Sequence, residues 1–112
     1  MEGLEEKLGY KFKNIDLLKN ALTHSSYANE VRDGFSSNER LEFLGDSVLS
    51  IIVSDYIYRH YRSLPEGELT KLRASLVCEK SLCAFSRELE LGKYLMLGKG
   101  EDKGGGRERD SI

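Results

Sequence analysis

The longest stretch with one unbroken period is residues 38–62, and it sorts its side chains onto two opposite faces of a helix. At about 100° per residue, with Glu39 at 0°, Glu42 falls near 300° and Asp46 near 340°. Three carboxylates therefore share one narrow face. Leu41, Leu44, Val48 and Ile52 fall between about 140° and 220°, so that side is the expected core side of an amphipathic helix. The same period recurs along the chain, and no alternating strand pattern stands out. An all-α domain is the prediction, and 112 residues suffice for one core but not two.

The remaining elements follow from start and stop signals. Residues 5–9 read as a short helix ended by Gly9. Residues 14–24 form a better one, with Ile15, Leu18, Ala21 and Leu22 on one face. Residues 25–37 are polar and read as a loop. Ser36 with Glu39 is a capping box for the long helix, and Ser63 with Glu66, flanking Pro65, is another that opens a helix to about Cys78. Residues 80–91 continue as helix and meet Gly92. Residues 98–109 hold five glycines in twelve residues and read as a loop near the end of a single domain, residues 1–112, without internal repeat or linker.

Composition narrows the class. Hydrophobic residues at 39% and charged residues at 32% describe a soluble globular protein. No apolar run reaches the ~20 residues of a membrane span, and the acidic start, with Glu2, Glu5 and Glu6, excludes a signal peptide. Cys78 and Cys83 lie five apart on different helix faces, so neither a bridge nor a CxxC metal site is indicated. Free thiols point to a reducing, cytoplasmic setting. The net charge of −2 is unusual for a nucleic-acid binder, whose affinity rests on neutralising phosphates. An RNA partner would require clustered basic residues, a metal bridging acids to phosphate, or another gripping domain.

The acidic face carries a cost. Like charges at i,i+3 and i,i+4 each cost roughly 0.2–0.5 kcal/mol, and Gly45 costs about 1 kcal/mol relative to alanine in a helix interior. A divalent cation held by carboxylates and waters accounts for the first penalty. Close approach of another backbone accounts for the second. Glu39 and Glu66 each sit three residues after a serine, so each is a capping carboxylate first and a site residue second. Phe43, near 40°, lies beside the acids, which fits either a singly exposed aromatic or an anchor for a partner chain.

The string Glu39-Arg40-Leu41-Glu42-Phe43-Leu44-Gly45-Asp46-Ser47 resembles the nine-residue signature of the ribonuclease III family at all nine positions. Leu8 to Phe12, Ala21 to Tyr27, Glu66 to Ala74 and Leu97 to Glu101 are similar to the family's flanking stretches, so the resemblance covers nearly the whole chain. It implies an all-helical endonuclease domain of a cytoplasmic homodimer. That enzyme cuts double-stranded RNA, as in rRNA and mRNA processing, by two-metal-type hydrolysis with Mg²⁺ or, in substitution, Mn²⁺. Carried over by position, Asp46 and Glu42 are catalytic metal-site carboxylates. Glu39 and Glu66 are supporting acids, and Phe43 is the aromatic that plugs into the other subunit. Such chemistry needs an activated water and a counter-charge for the leaving oxygen, which metal-bound carboxylates provide without a histidine or serine nucleophile. His24 and His60 are accordingly read as helix-end or surface residues. Lys99, Arg107 and Arg109 are the candidates for contacting RNA.

The sequence departs from the family pattern at its end. A second acidic pair, an Asp and a Glu three residues apart, is expected just beyond Ile112, together with the last helices of the domain and a double-stranded-RNA-binding domain. The chain is therefore expected to be a truncated catalytic domain. The alternative is a ribonuclease III-like module that binds RNA or assembles without cutting; the intact Glu39, Glu42, Asp46 and Glu66 argue against it. A purely structural bundle is disfavoured by the spacing of the acids. A di-iron carboxylate bundle fails, because neither histidine has a glutamate three residues before it.

Overall fold

The computed structural model describes residues 1–31, 36–109 and 112. Seven α-helices run through them: α1 (Glu2–Leu8), α2 (Ile15–Ala21), α3 (Ser25–Val31), α4 (Glu39–His60), α5 (Glu66–Val77), α6 (Glu79–Leu89) and α7 (Lys99–Lys103). Single 3₁₀ turns lie at Leu91–Tyr94 and Gly106–Glu108. The only extended pairing among the described residues is an isolated bridge between Thr23 and Met96. The expected all-α class is what the chain adopts.

Local chemistry explains most boundaries. Gly9 ends α1 in the left-handed region at φ 68°, a conformation that costs glycine little. Asn14 caps α2 by accepting from the Asp16 N–H. Neither expected capping box forms. Asn38 precedes α4 and Pro65 precedes α5, neither with a side-chain cap, so Ser36 and Ser63 each stand two residues upstream of the cap position. The entry to α4 is held instead by tertiary hydrogen bonds. Asn38 Nδ2 donates to the Ala21 carbonyl at 2.9 Å, and Asn20 Nδ2 donates to the Ser36 carbonyl at 2.6 Å.

Two segments read as loops are partly helical. α3 falls within residues 25–37, of which 32–35 lie outside the described residues. Both its ends are tied to a distant strap: Ser26 Oγ accepts from the Gly98 N–H at 2.8 Å, and Glu30 Oε2 accepts from the Lys99 N–H at 2.5 Å. A helix this short is marginal without such contacts. Within residues 98–109, α7 and the second 3₁₀ turn form because Gly105 takes φ 82° and Arg107 clamps the segment onto the preceding turn. Gly98 itself has no room for a side chain, since an added Cβ would meet the Ser26 carbonyl oxygen at 2.8 Å.

The core is small and sits at one end. Leu4, Leu18 and Leu22 form its centre, packed by Phe12, Ile15, Leu91, Tyr94 and Leu95. Ala21, expected on the same face, is exposed because α2 ends there. Ile57 is the buried residue of α4, with Val53 and Ser54 half-buried where α5 packs antiparallel on it; Arg73 Nη1 donates to Ser54 Oγ at 3.0 Å.

This reverses the expected sidedness of α4. The face that carries the acids in the first turns is the face that α5 covers further along, because Ile57 falls near 0° with Glu39. The expected core side is uncovered. Leu44 is 59% exposed and Val48 46%, while Ile52 is 59% exposed and Ile51 beside it 72%. Leu41 alone of the expected core set is half-buried. The radius of gyration is 16.1 Å, against about 13 Å for a compact domain of this length. An amphipathic helix needs a neighbour on each apolar stripe, and the described residues supply a neighbour for only one of the two.

Candidate metal centre

The first two turns of α4 are positioned by the end of α2. Asn38 donates its backbone N–H to the Thr23 carbonyl at 2.8 Å, and its own carbonyl accepts from the Glu42 N–H at 2.8 Å. Thr23 is fully buried, and its hydroxyl donates to the Lys19 carbonyl at 2.6 Å. The acidic turns thus rest on a rigid, hydrogen-bonded corner.

Glu39, Glu42 and Asp46 all line one open depression of about 590 Å³, with Phe43, Gly45 and, from α6, Leu82. All three carboxylates are exposed. Among the described residues no ion pair or hydrogen bond engages the side chains of Glu42 or Asp46, so both present free oxygens to solvent. Hard carboxylate oxygens with room for water suit a Mg²⁺-like cation. Among the described residues, however, no group of three or more His, Cys, Asp or Glu side chains lies close enough to hold an ion by itself. Glu42 and Asp46 fit as part of a ligand set that water and other groups complete.

Glu66 does not share this depression. It is the first residue of α5, beside the far end of α4, and Asp46 lies fourteen residues before that end, roughly 20 Å along the axis. Phe43 is 81% exposed and touches the rim of the acid depression. Gly45 has nothing within 4 Å of the position a Cβ would take, so among the described residues no other backbone of this chain approaches it.

The basic candidates separate. Arg107 Nη1 donates to the Gly92 and Leu95 carbonyls at 2.8 and 2.6 Å, while its Nε and Nη2 pair with Asp102 at 2.9 and 3.2 Å. Arg109 pairs with Glu101 at 2.6 Å and donates to the Gly104 carbonyl at 2.8 Å. Both guanidiniums are committed to holding the glycine-rich segment. Lys99 is exposed at the start of α7. Neither Cys78 nor Cys83 is in a disulfide among the described residues; Ser81 beside Cys78 lowers that exposed thiol's pKa.

One residue near the acids was read as having no role. His24 lines a second depression, of about 480 Å³, together with Glu39, Glu42, Asn38 and Leu41. Its location depends on residues 22–24 pairing with Met96, more than seventy positions away, through His24 N–H to Met96 O at 3.0 Å and Met96 N–H to Leu22 O at 2.9 Å. No local periodicity encodes that pairing.

The fold and the site together define an all-helical domain that presents an exposed acid pair on its longest helix. The comparisons with known proteins specify it. A family model described as Ribonuclease-III-like matches residues 14–112. Ribonuclease 3 of Oceanobacillus iheyensis is 61% identical over 110 residues, covering 97% of this chain and 48% of that protein. Ribonuclease 3 of Listeria monocytogenes is 53% identical over 112 residues, covering 99% and 49%. A solved nuclease domain of ribonuclease III from Campylobacter jejuni, which has structural flexibility in its region involved in dimer formation, superposes with a TM-score of 0.88 at 43% identity, covering 98% of this chain and 73% of that one. The chain belongs to the ribonuclease-III-like family and has the fold of its nuclease domain. It spans about half the length of the curated relatives it matches.

Proposed function

We propose that this chain is the nuclease portion of an endoribonuclease that cleaves double-stranded RNA by two-metal-type phosphodiester hydrolysis. The observation that carries the reading is the pair Glu42 and Asp46, free and exposed in one depression, within a ribonuclease-III-like fold. Mg²⁺, with Mn²⁺ able to substitute, would be held by these two carboxylates and would supply an activated water and a counter-charge for the leaving oxygen. Glu42 and Asp46 anchor the ion, Glu39 adds negative potential at the same rim, and the rigid Asn38 corner keeps their spacing fixed. Substrate choice rests on the shape and phosphates of A-form duplex rather than on base identity. The setting is cytoplasmic, consistent with cysteines that form no disulfide among the described residues. Among the described residues no helix is long and apolar enough to cross a membrane.

The test is Mn²⁺ titration by calorimetry of the wild type and of Asp46→Asn. The variant, which keeps shape but loses a charged ligand, is expected to lose most of the binding heat. Equal binding by both proteins removes Asp46 from the site.

The functional unit in this reading is a homodimer, with Phe43 as its anchor. Burying a phenylalanine is worth about 1.5–3 kcal/mol, and isologous pairing places Phe43 of each subunit against the other. Phe43→Ala is expected to weaken self-association about tenfold or more in sedimentation equilibrium. An unchanged association constant rules out the anchor.

A further inference from the structure

We infer that His24 presents a neutral Nε2–H donor to a phosphate oxygen of the RNA strand bound at the acid face; the inference rests on the reading of the site just given. The tautomer follows from the chain's own hydrogen bonds. The Ser26 backbone N–H donates to His24 Nδ1 at 3.2 Å. A backbone N–H can only donate, so Nδ1 is the unprotonated nitrogen and the ring proton sits on Nε2. Ser26 Oγ lies 2.8 Å from the same Nδ1 and accepts from the Gly98 N–H at 2.8 Å. Its hydroxyl proton is thereby directed at Nδ1, and the strap from residue 98 holds the serine that holds the ring. His60 shows the opposite arrangement: its Nδ1 donates to the Tyr56 carbonyl at 2.9 Å, which leaves Nε2 without a proton in the neutral ring.

Two nearby carboxylates could accept from the Nε2–H and do not. Glu39 and Glu42 share the depression with His24, yet neither carboxylate accepts from the ring. Among the described residues the donor has no acceptor, although the ring is half-buried and its other nitrogen is doubly engaged. A donor fixed in orientation through its other nitrogen and left open fits an acceptor that arrives with the ligand. A phosphate drawn to an ion that Glu42 would hold would bring non-bridging oxygens into this depression. A neutral donor suits that position better than a cation, because it leaves the acids free to bind the ion rather than pairing with them. His24 thus positions substrate and takes no part in proton transfer.

The inference is tested on the 112-residue chain with a short RNA duplex in Mg²⁺ at low ionic strength, by fluorescence anisotropy. His24→Phe keeps ring volume without the donor and is expected to bind about tenfold more weakly. His24→Gln, whose amide N–H₂ reaches the position of Nε2–H, is expected to retain most of the affinity. The slope of log K against log salt is expected to stay unchanged in His24→Phe, since a neutral donor releases no counterion; loss of a cationic contact would reduce it by about one. Imidazole ¹⁵N spectra of the free chain are expected to show Nδ1 unprotonated and Nε2 protonated. Wild-type binding by both variants overturns the inference, and so does equal weakening by both, an altered salt slope, or an Nδ1–H tautomer. If Asp46→Asn abolishes Mn²⁺ binding while His24→Phe binds RNA like wild type, the inference alone fails and the metal reading stands.

Discussion

Leu4→Ala is expected to lower stability by about 2–5 kcal/mol, read as a fall in the urea midpoint, and to leave much of the protein unfolded at room temperature. Leu4 is 1% exposed and sits at the centre of the cluster that joins α1 and α2 to residues 91–95, against Leu18 and Leu22 with Leu91, Tyr94 and Leu95 around them. Folded domains typically hold about 5–15 kcal/mol in reserve, and a chain with five buried apolar residues among those described belongs at the low end. The contacts that otherwise hold α1 are polar and exposed. Glu90 lies between Lys7 and Lys93, each at 3.2 Å, and these ammonium groups lower its pKa, but solvent-exposed pairs of this kind contribute little. They cannot offset a cavity at Leu4. Leu4→Met, which nearly conserves volume, is expected to cost under about 1.5 kcal/mol. A Leu4→Ala midpoint within error of wild type would show that α1 is dispensable to the core.

The sequence was most legible where structure is local. The helical period of residues 39–60, the glycine end of α1 and the start of α5 after Pro65 each depend on neighbours within a few positions. The acid stripe was legible for the same reason, since i,i+3 and i,i+4 spacing alone puts Glu39, Glu42 and Asp46 on one face. What failed depends on distant partners. α3 is held by Gly98 and Lys99, the start of α4 by the ends of α2, and the glycine-rich segment by Arg107 reaching back to Gly92 and Leu95. A period says which residues share a face but not which face meets a neighbour. Leu44, Val48 and Ile52 were therefore placed inside when α5 in fact chose the face of Ile57. His24 was passed over because its importance lies in a hydrogen-bond chain through Ser26 to Gly98, seventy-two residues from Ser26.

A polypeptide of these 112 residues alone is expected to cleave duplex RNA at least about a hundredfold more slowly than one that also carries the remaining share of the nuclease domain found in the solved relative. Glu42 and Asp46 give two carboxylates, and no third acidic or histidine ligand joins them among the described residues. An ion held by two side chains and otherwise by water is weakly bound and loosely placed, and a misplacement of ~1 Å at a reacting centre costs about a hundredfold. The uncovered stripe adds to this. Leu44, Val48, Ile51 and Ile52 lie on the same helix as the acids and are exposed among the described residues, which leaves an apolar surface prone to aggregation. A net charge of −2 supplies little attraction for a polyanion, so affinity for duplex should be low and should fall steeply with salt. Covering the stripe and adding ligands are separable contributions. A longer chain whose added acidic residues are all changed to amides should gain stability and resist aggregation without gaining cleavage, whereas the unaltered longer chain should gain stability and cleavage together. A gel assay on long duplex RNA in Mg²⁺, run beside a melting curve for each protein, reads the two effects independently. Equal cleavage by the short and long forms would mean that Glu42 and Asp46 suffice as ligands, and the two-carboxylate limit on this site would have to be abandoned.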